Sequence, residues 1–136
     1  MLCCSMKRNL LLLLILFSAC KVKAQIFNKL DSMVFDEQSK TNVKLLASDS
    51  LCSTFFITIP IGVNMHYHVF HSENVVVTEG TGIMKLGNKE FVIKKGDLIV
   101  IPKGTKHSVI NTGTNPIKVI SVQSPYFDGK DRVWVD

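Results

Sequence analysis

From Val43 to its end the chain is written in short β-prone runs cut by turn residues, and no stretch sustains a helical period for long. The runs cover residues 43–47, 54–59, 65–69, 74–78, 82–86, 89–93, 98–101, 107–111, 117–122 and 132–135. Gly87-Asn88, between Leu86 and Lys89, is a tight-hairpin signal. Gly80-Thr81-Gly82, Lys95-Gly96-Asp97 and the stretch from Thr112 to Pro116 break the other runs. Many short strands at close spacing predict an all-β sandwich or barrel, and 136 residues suffice for one such domain.

The start of the chain is of another kind. Lys7 and Arg8 precede an unbroken apolar run over residues 10–17, followed by Ser18, Ala19 and Cys20. A basic segment and a short apolar one describe a secretory signal over residues 1–24, since the run is too short for a permanent membrane span. Export to the periplasm or exterior is therefore expected. Cleavage after Ala24 gives a soluble product; the Phe17-Ser18-Ala19-Cys20 stretch resembles a lipobox and offers a lipid anchor at Cys20 instead. Residues 25–42 read as a polar arm or short helix, and residues 43–136 as the β-domain.

The leader also accounts for most of the charge. The chain has 16 basic and 11 acidic side chains. Lys7, Arg8, Lys21 and Lys23 fall in residues 1–24 with no acidic residue, so the rest is close to neutral. Neither that balance nor any helix-turn-helix segment supports a nucleic-acid surface. Cys52 is the one cysteine beyond the leader, so no internal disulfide is expected; it reads as a small buried apolar residue.

Histidine is scarce and concentrated: three of four lie in His66-Tyr67-His68-Val69-Phe70-His71, with Glu73 two residues on. Strand side chains alternate, so His66 and His68 project to one side, about 7 Å apart along the strand. If that side is the interior, two unpartnered imidazoles are costly to bury, and a metal ion removes the cost. Glu73 is the nearest anionic ligand. His71 has odd spacing from His68 and is assigned a rim or supporting position; Tyr67 is a further pocket candidate. Downstream, Gly96-Asp-Leu-Ile-Val-Ile-Pro102-Lys-Gly104-Thr-Lys-His107-Ser-Val-Ile-Asn111 carries a strand into a Pro-x-Gly corner and back with His107, and Asn111 shares that histidine's face.

These two stretches resemble the paired motifs of the cupin superfamily. The first reads here Gly62-x3-His66-x-His68-x4-Glu73-x6-Gly80, and the second matches G-x5-P-x-G-x2-H-x3-N at Gly96, Pro102, Gly104, His107 and Asn111. Gly62 stands two residues closer to His66 than the family pattern, which places the irregularity in the strand entering the motif. The resemblance implies a double-stranded β-helix jelly-roll barrel. It also implies one divalent metal ion (Mn, Fe, Ni or Zn) held by His66, His68, Glu73 and His107, with homodimers common among small members.

Fold does not give function. The first expectation is a metal-dependent enzyme of isomerase, dioxygenase or decarboxylase type on a small oxygenated molecule. The alternative is a module that binds a sugar or small acid without chemistry, and a third reading is a purely structural jelly roll. Phe55, Phe56, Ile57, Ile59, Ile99 and Ile101 read as core. So do Val75 to Val77, on a strand covered on both sides. Tyr126 and Phe127 are candidates to line the barrel mouth, with packing the favoured role.

Overall fold

The computed structural model describes residues 28–135; the expected signal segment, with Cys20 and Ala24, lies outside them. Ten strands follow in order: β1 (Asn42–Ser48), β2 (Ser53–Ile59), β3 (Gly62–Tyr67), β4 (Ser72–Glu79), β5 (Thr81–Leu86), β6 (Lys89–Lys94), β7 (Leu98–Ile101), β8 (His107–Asn111), β9 (Ile117–Ser124) and β10 (Val133–Trp134). They form two five-stranded antiparallel sheets, ordered β1-β2-β9-β4-β7 and β10-β3-β8-β5-β6. Sequence neighbours β3 and β4 sit in different sheets, so the chain winds from one layer to the other as a jelly roll does. The described part of the arm is a single 3-10 turn, Leu30–Ser32, and irregular chain rather than an amphipathic helix.

Alternation decides what lies between the sheets. Ile59, Val77, Ile99, Ile101, Ile117 and Val119 from one sheet meet Met84, Ile93 and Val109 from the other in a buried apolar cluster. Gly82 has the space of a glycine only: a Cβ there would come within 2.6 Å of the Ile110 carbonyl oxygen. The same alternation turns every second residue of the first sheet outward. Phe56 is buried on that outer side because Phe35 of the arm packs over it, ring centroids 5.5 Å apart. Beyond Phe35 the cover ends, and Val76, Leu98 and Val100 are 40%, 63% and 56% exposed. The expectation of a β4 covered on both faces therefore fails within the chain: Val75 and Val77 face the interior and Val76 faces out. Cys52 is half-buried, and no disulfide forms among the described residues.

The irregularity flagged at Gly62 is a β-bulge. Along β3 and β8, Gly62 pairs with Ile110 and Val63 with Val109, but the next pair is His66 with His107. Three steps on β3 oppose two on β8, so β3 carries one extra residue. Without it His66 would point away from the side to which Val63 points; the insertion flips it inward. The bulge between Val63 and His66 is thus what aims the first histidine of the motif.

Candidate metal centre

Each histidine reaches the interior by a different route. His66 comes off the bulge of β3, His68 follows just after that strand, and His107 opens β8 after the Pro102–Gly104 corner. The corner is held to the first motif by a bond from the Gly104 N–H to the His68 carbonyl, 2.6 Å. All three rings are buried, and their ligating nitrogens lie within 4.8 Å of one another. Glu73, the second residue of β4, is buried from the other sheet, and its Oε2 stands 3.5 Å from His107 Nε2 and 3.7 Å from His68 Nε2.

Hydrogen bonding fixes the tautomers. His66 Nδ1 lies 2.8 Å from the Asn64 carbonyl oxygen, His107 Nδ1 lies 2.9 Å from that of Thr105, and His68 Nδ1 contacts that of Asp131. A carbonyl only accepts, so each Nδ1 carries the proton and each Nε2 keeps its lone pair. Nε2 of His68 and of His107 are buried with no hydrogen-bond partner among the described residues, at a cost of about 1–3 kcal/mol each. Lone pairs therefore converge on an anionic oxygen with no donor between them. A cation reconciles the set, and backbone carbonyls on the far ring nitrogens are the usual support for metal-binding imidazoles.

Electrostatics agree. Burial, and next the neighbouring His107, lower the His66 pKa to about 4 against the opposing pull of the Asn64 carbonyl, so the ring is neutral at pH 7. Burial acts to raise the Glu73 pKa, but the net direction is down, the Ser121 hydroxyl donating to Oε1, and the carboxyl stays ionised. Ser121 donates to Glu73 Oε1, and Gln123 Nε2 donates to the same oxygen at 3.4 Å. These bonds fix one carboxylate oxygen and leave the other facing the rings.

His71, between β3 and β4, has neither nitrogen to spare. Its Nδ1 donates to Asp131 Oδ2 at 2.5 Å and its Nε2 donates to the Tyr126 carbonyl at 2.8 Å, so it is held as an imidazolium. Burial opposes that charge, but Asp131 and the Tyr126 carbonyl prevail and raise its pKa. Asp131 also accepts from the Val69, Phe70 and His71 N–H groups at 2.9, 2.8 and 3.2 Å. Burial would raise its own pKa, but the bonds from His71, Phe70 and Val69 lower it to about 2. Asn111 is occupied elsewhere: its Nδ2 donates to the Pro60 and Asn115 carbonyls, and its Oδ1 accepts from the Gly113 N–H. Tyr67 is not among the residues lining the cavity described next. Phe127 is buried against His68 and His71, whereas Tyr126 is exposed.

Above the histidines opens a cavity of about 410 Å³, inside the ~300–1,000 Å³ range of small-molecule sites. His66, Glu73 and His107 lie in its wall, the sides are mostly core aliphatics, and Arg132 and Trp134 from the C-terminal segment complete it. Asp131, Arg132 and Trp134 carry no local motif. Only their return beside β3 shows what they do, Val133 pairing with Tyr67 and Trp134 with His66.

A family model for the cupin domain matches residues 55–123. The chain belongs to the cupin family. An uncharacterized protein, MJ1618, of Methanocaldococcus jannaschii is 36% identical over 75 residues, 54% of this chain and 60% of that protein. KdgF from a Halomonas species superposes with a TM-score of 0.67 at 20% identity, over 76% of this chain and 97% of that one. Streptomyces Pac13, described as a nucleoside dehydratase, gives 0.62 at 17% identity, over 71% and 78%. At such identities the two structures share the fold, and this cupin spans well under the full length of the archaeal relative.

The unequal proton demands of His66 and His71 set the pH dependence of the metal-free protein. His66 binds its proton more weakly folded than unfolded, so stability is lost as pH falls from 6.5 towards 4. His71 binds its proton more tightly folded, so stability is lost as pH rises from 6.5 through its raised pKa. Urea unfolding of chelator-treated protein is expected to show greatest stability near pH 6.5, with the acid limb flattened by His66→Gln. A monotonic rise from acid to alkaline pH would contradict this.

Proposed function

We propose that this cupin holds one divalent metal ion through His66, His68, His107 and Glu73, and acts as a metal-dependent enzyme on a small oxygenated molecule. The observation that carries the reading is the pair of buried, unpartnered Nε2 atoms of His68 and His107 facing the Glu73 carboxylate beside a ligand-sized cavity. Three imidazoles and a carboxylate suit Mn, Fe, Ni or Zn, and such an ion supplies Lewis acidity and a template for substrate oxygen. The chain's own contribution is orientation and exclusion of water. Backbone carbonyls hold the rings in one tautomer, Ser121 and Gln123 hold Glu73, and aliphatic walls keep the interior dry. Isomerase, dioxygenase and decarboxylase chemistries all fit this arrangement.

A second reading, a binding module for a sugar or small acid, is favoured by one observation. Apart from His66, His107 and Glu73, the ionisable side chains lining the cavity are Lys40 and Arg132, both poor proton shuttles at neutral pH. Turnover separates the two. Protein purified without added metal is assayed by elemental analysis, then offered hydroxy acids, aldoses and catechols. Metal-dependent product formation supports the enzyme; saturable binding without product supports the module; absence of metal from protein supplied with each of the four ions ends both.

Two further parts of the proposal have narrower support. Exposed Val76, Leu98 and Val100 on the outer sheet face are apolar surface of the kind that supports a homodimer. Export, soluble or anchored at Cys20, rests on the pattern of residues 1–24.

A further inference from the structure

Arg132 is the unexplained charge at this site. It forms no ion pair with any carboxylate among the described residues, and its Nε is buried without a hydrogen-bond partner. The guanidinium carbon instead lies 5.5 Å from the Trp134 ring centre and 6.0 Å from that of Phe127. Trp134 is itself 5.2 Å from the His66 ring, so the charge sits at the rim of the metal centre, in the cavity wall. Aromatic faces support a cation but do not accept its N–H groups as an oxyanion does. A half-buried guanidinium held in place by two rings with an idle donor is prepared for an anion that comes from outside.

We propose that Arg132 receives the carboxylate of a small organic acid whose apolar body fills the barrel cavity. This rests on the same cavity as the proposed function and narrows its ligand class. The charge count points to a carboxylate: one guanidinium matches a monoanion, and the other cation in the lining, Lys40, is exposed. The body is apolar because Ile57, Ile59, Val63, Val75, Met84 and Val119 supply the walls. Neutral sugars, which need many hydrogen-bond partners, match such walls poorly.

The test measures calorimetric binding of hexanoate, hexanamide and hexyl phosphate to wild-type protein and to Arg132→Met and Arg132→Lys, with metal content determined in each sample. Methionine keeps contact with the rings, and the replaced side chain makes no described hydrogen bond, so melting temperature should hold or rise. Hexanoate is expected to bind wild type about tenfold or more tightly than hexanamide, and to lose about that factor in Arg132→Met while hexanamide is unchanged. Arg132→Lys falls between, having the charge without the planar fork. Equal affinity of hexanoate for wild type and Arg132→Met overturns the assignment and places the carboxylate on the metal. Equal hexanoate and hexanamide affinity, or no binding of either to wild type, overturns it too, as does tighter binding of hexyl phosphate, which makes phosphate the anion. Repeating the titration on chelator-treated protein separates the two readings. Hexanoate selectivity that depends on Arg132 but not on metal upholds the acid site even where the metal proposal fails.

Discussion

Cupin protein carrying His68→Ala and His107→Ala together is expected to purify with metal at background, and to lose all stabilisation by added metal. Wild-type protein at a free metal concentration about 1,000 times the dissociation constant gains about 4 kcal/mol of stability. For a domain of this size that is a rise in Tm of about 15 °C or more. The variant should show none. The two replacements remove the Nε2 atoms that are buried without partners, so the metal-free variant should melt no lower than about 1–2 kcal/mol below metal-free wild type, the cavity left by the rings offsetting the relief. That asymmetry is the diagnostic. A merely structural histidine pair would lower stability with and without metal alike. Equal metal content and equal Tm shifts in variant and wild type would sink the proposed centre.

The second large effect concerns a residue that touches no metal. Asp131→Ala is expected to destabilise the domain by about 3–5 kcal/mol, because it strands a buried imidazolium and three backbone N–H groups at once. Those N–H groups belong to Val69, Phe70 and His71, the connection that runs from His68 to β4, where Glu73 resides. The Asp131 main chain meanwhile orients the His68 ring. Loosening the connection should therefore also weaken metal binding, by about 10–100-fold, the usual effect of removing a group that orients a ligand. Asp131→Asn keeps one accepting oxygen and should cost less on both counts. Asp131→Ala should also abolish the loss of stability above pH 6.5, since His71 no longer binds its proton more tightly when folded. Urea unfolding within about 1 kcal/mol of wild type, with metal affinity unchanged, would show that Asp131 is a surface residue of no consequence.

Much of this was legible before any fold was known, and the reasons are local. The ten β-prone runs correspond to ten strands, with bounds shifted by a few residues at most. Alternation and turn residues are properties of neighbouring positions, so the chain states them openly. The same holds for the Pro102–Gly104 corner that returns His107 to the sheet, and for His71, whose odd spacing marked it as standing apart from the other rings. The family resemblance named His66, His68, Glu73 and His107 together; the structure gathers the three imidazoles, with the Glu73 carboxylate beside those of His68 and His107.

Strict alternation, however, misdescribes how they arrive. His66 faces inward because β3 is bulged, and His68 lies beyond the end of that strand rather than within it. A bulge is a fact about two strands paired, and one strand's sequence does not state it. Val76 is open within the chain, because cover on that face must come from elsewhere than its own strand.

What residue order alone determined here is the strand inventory and the turns between them, since each follows from side chains a few positions apart; the imidazoles and carboxylate were named by the resemblance of two separated motifs to those of the family. What tertiary structure decided is which atoms are left without partners. Asp131 meets His71 and Arg132 meets Trp134 and Phe127 only because the C-terminal segment comes back beside β3. An unsatisfied lone pair or an unpaired charge is defined by everything around it in space, and that surrounding exists only once the two sheets have closed.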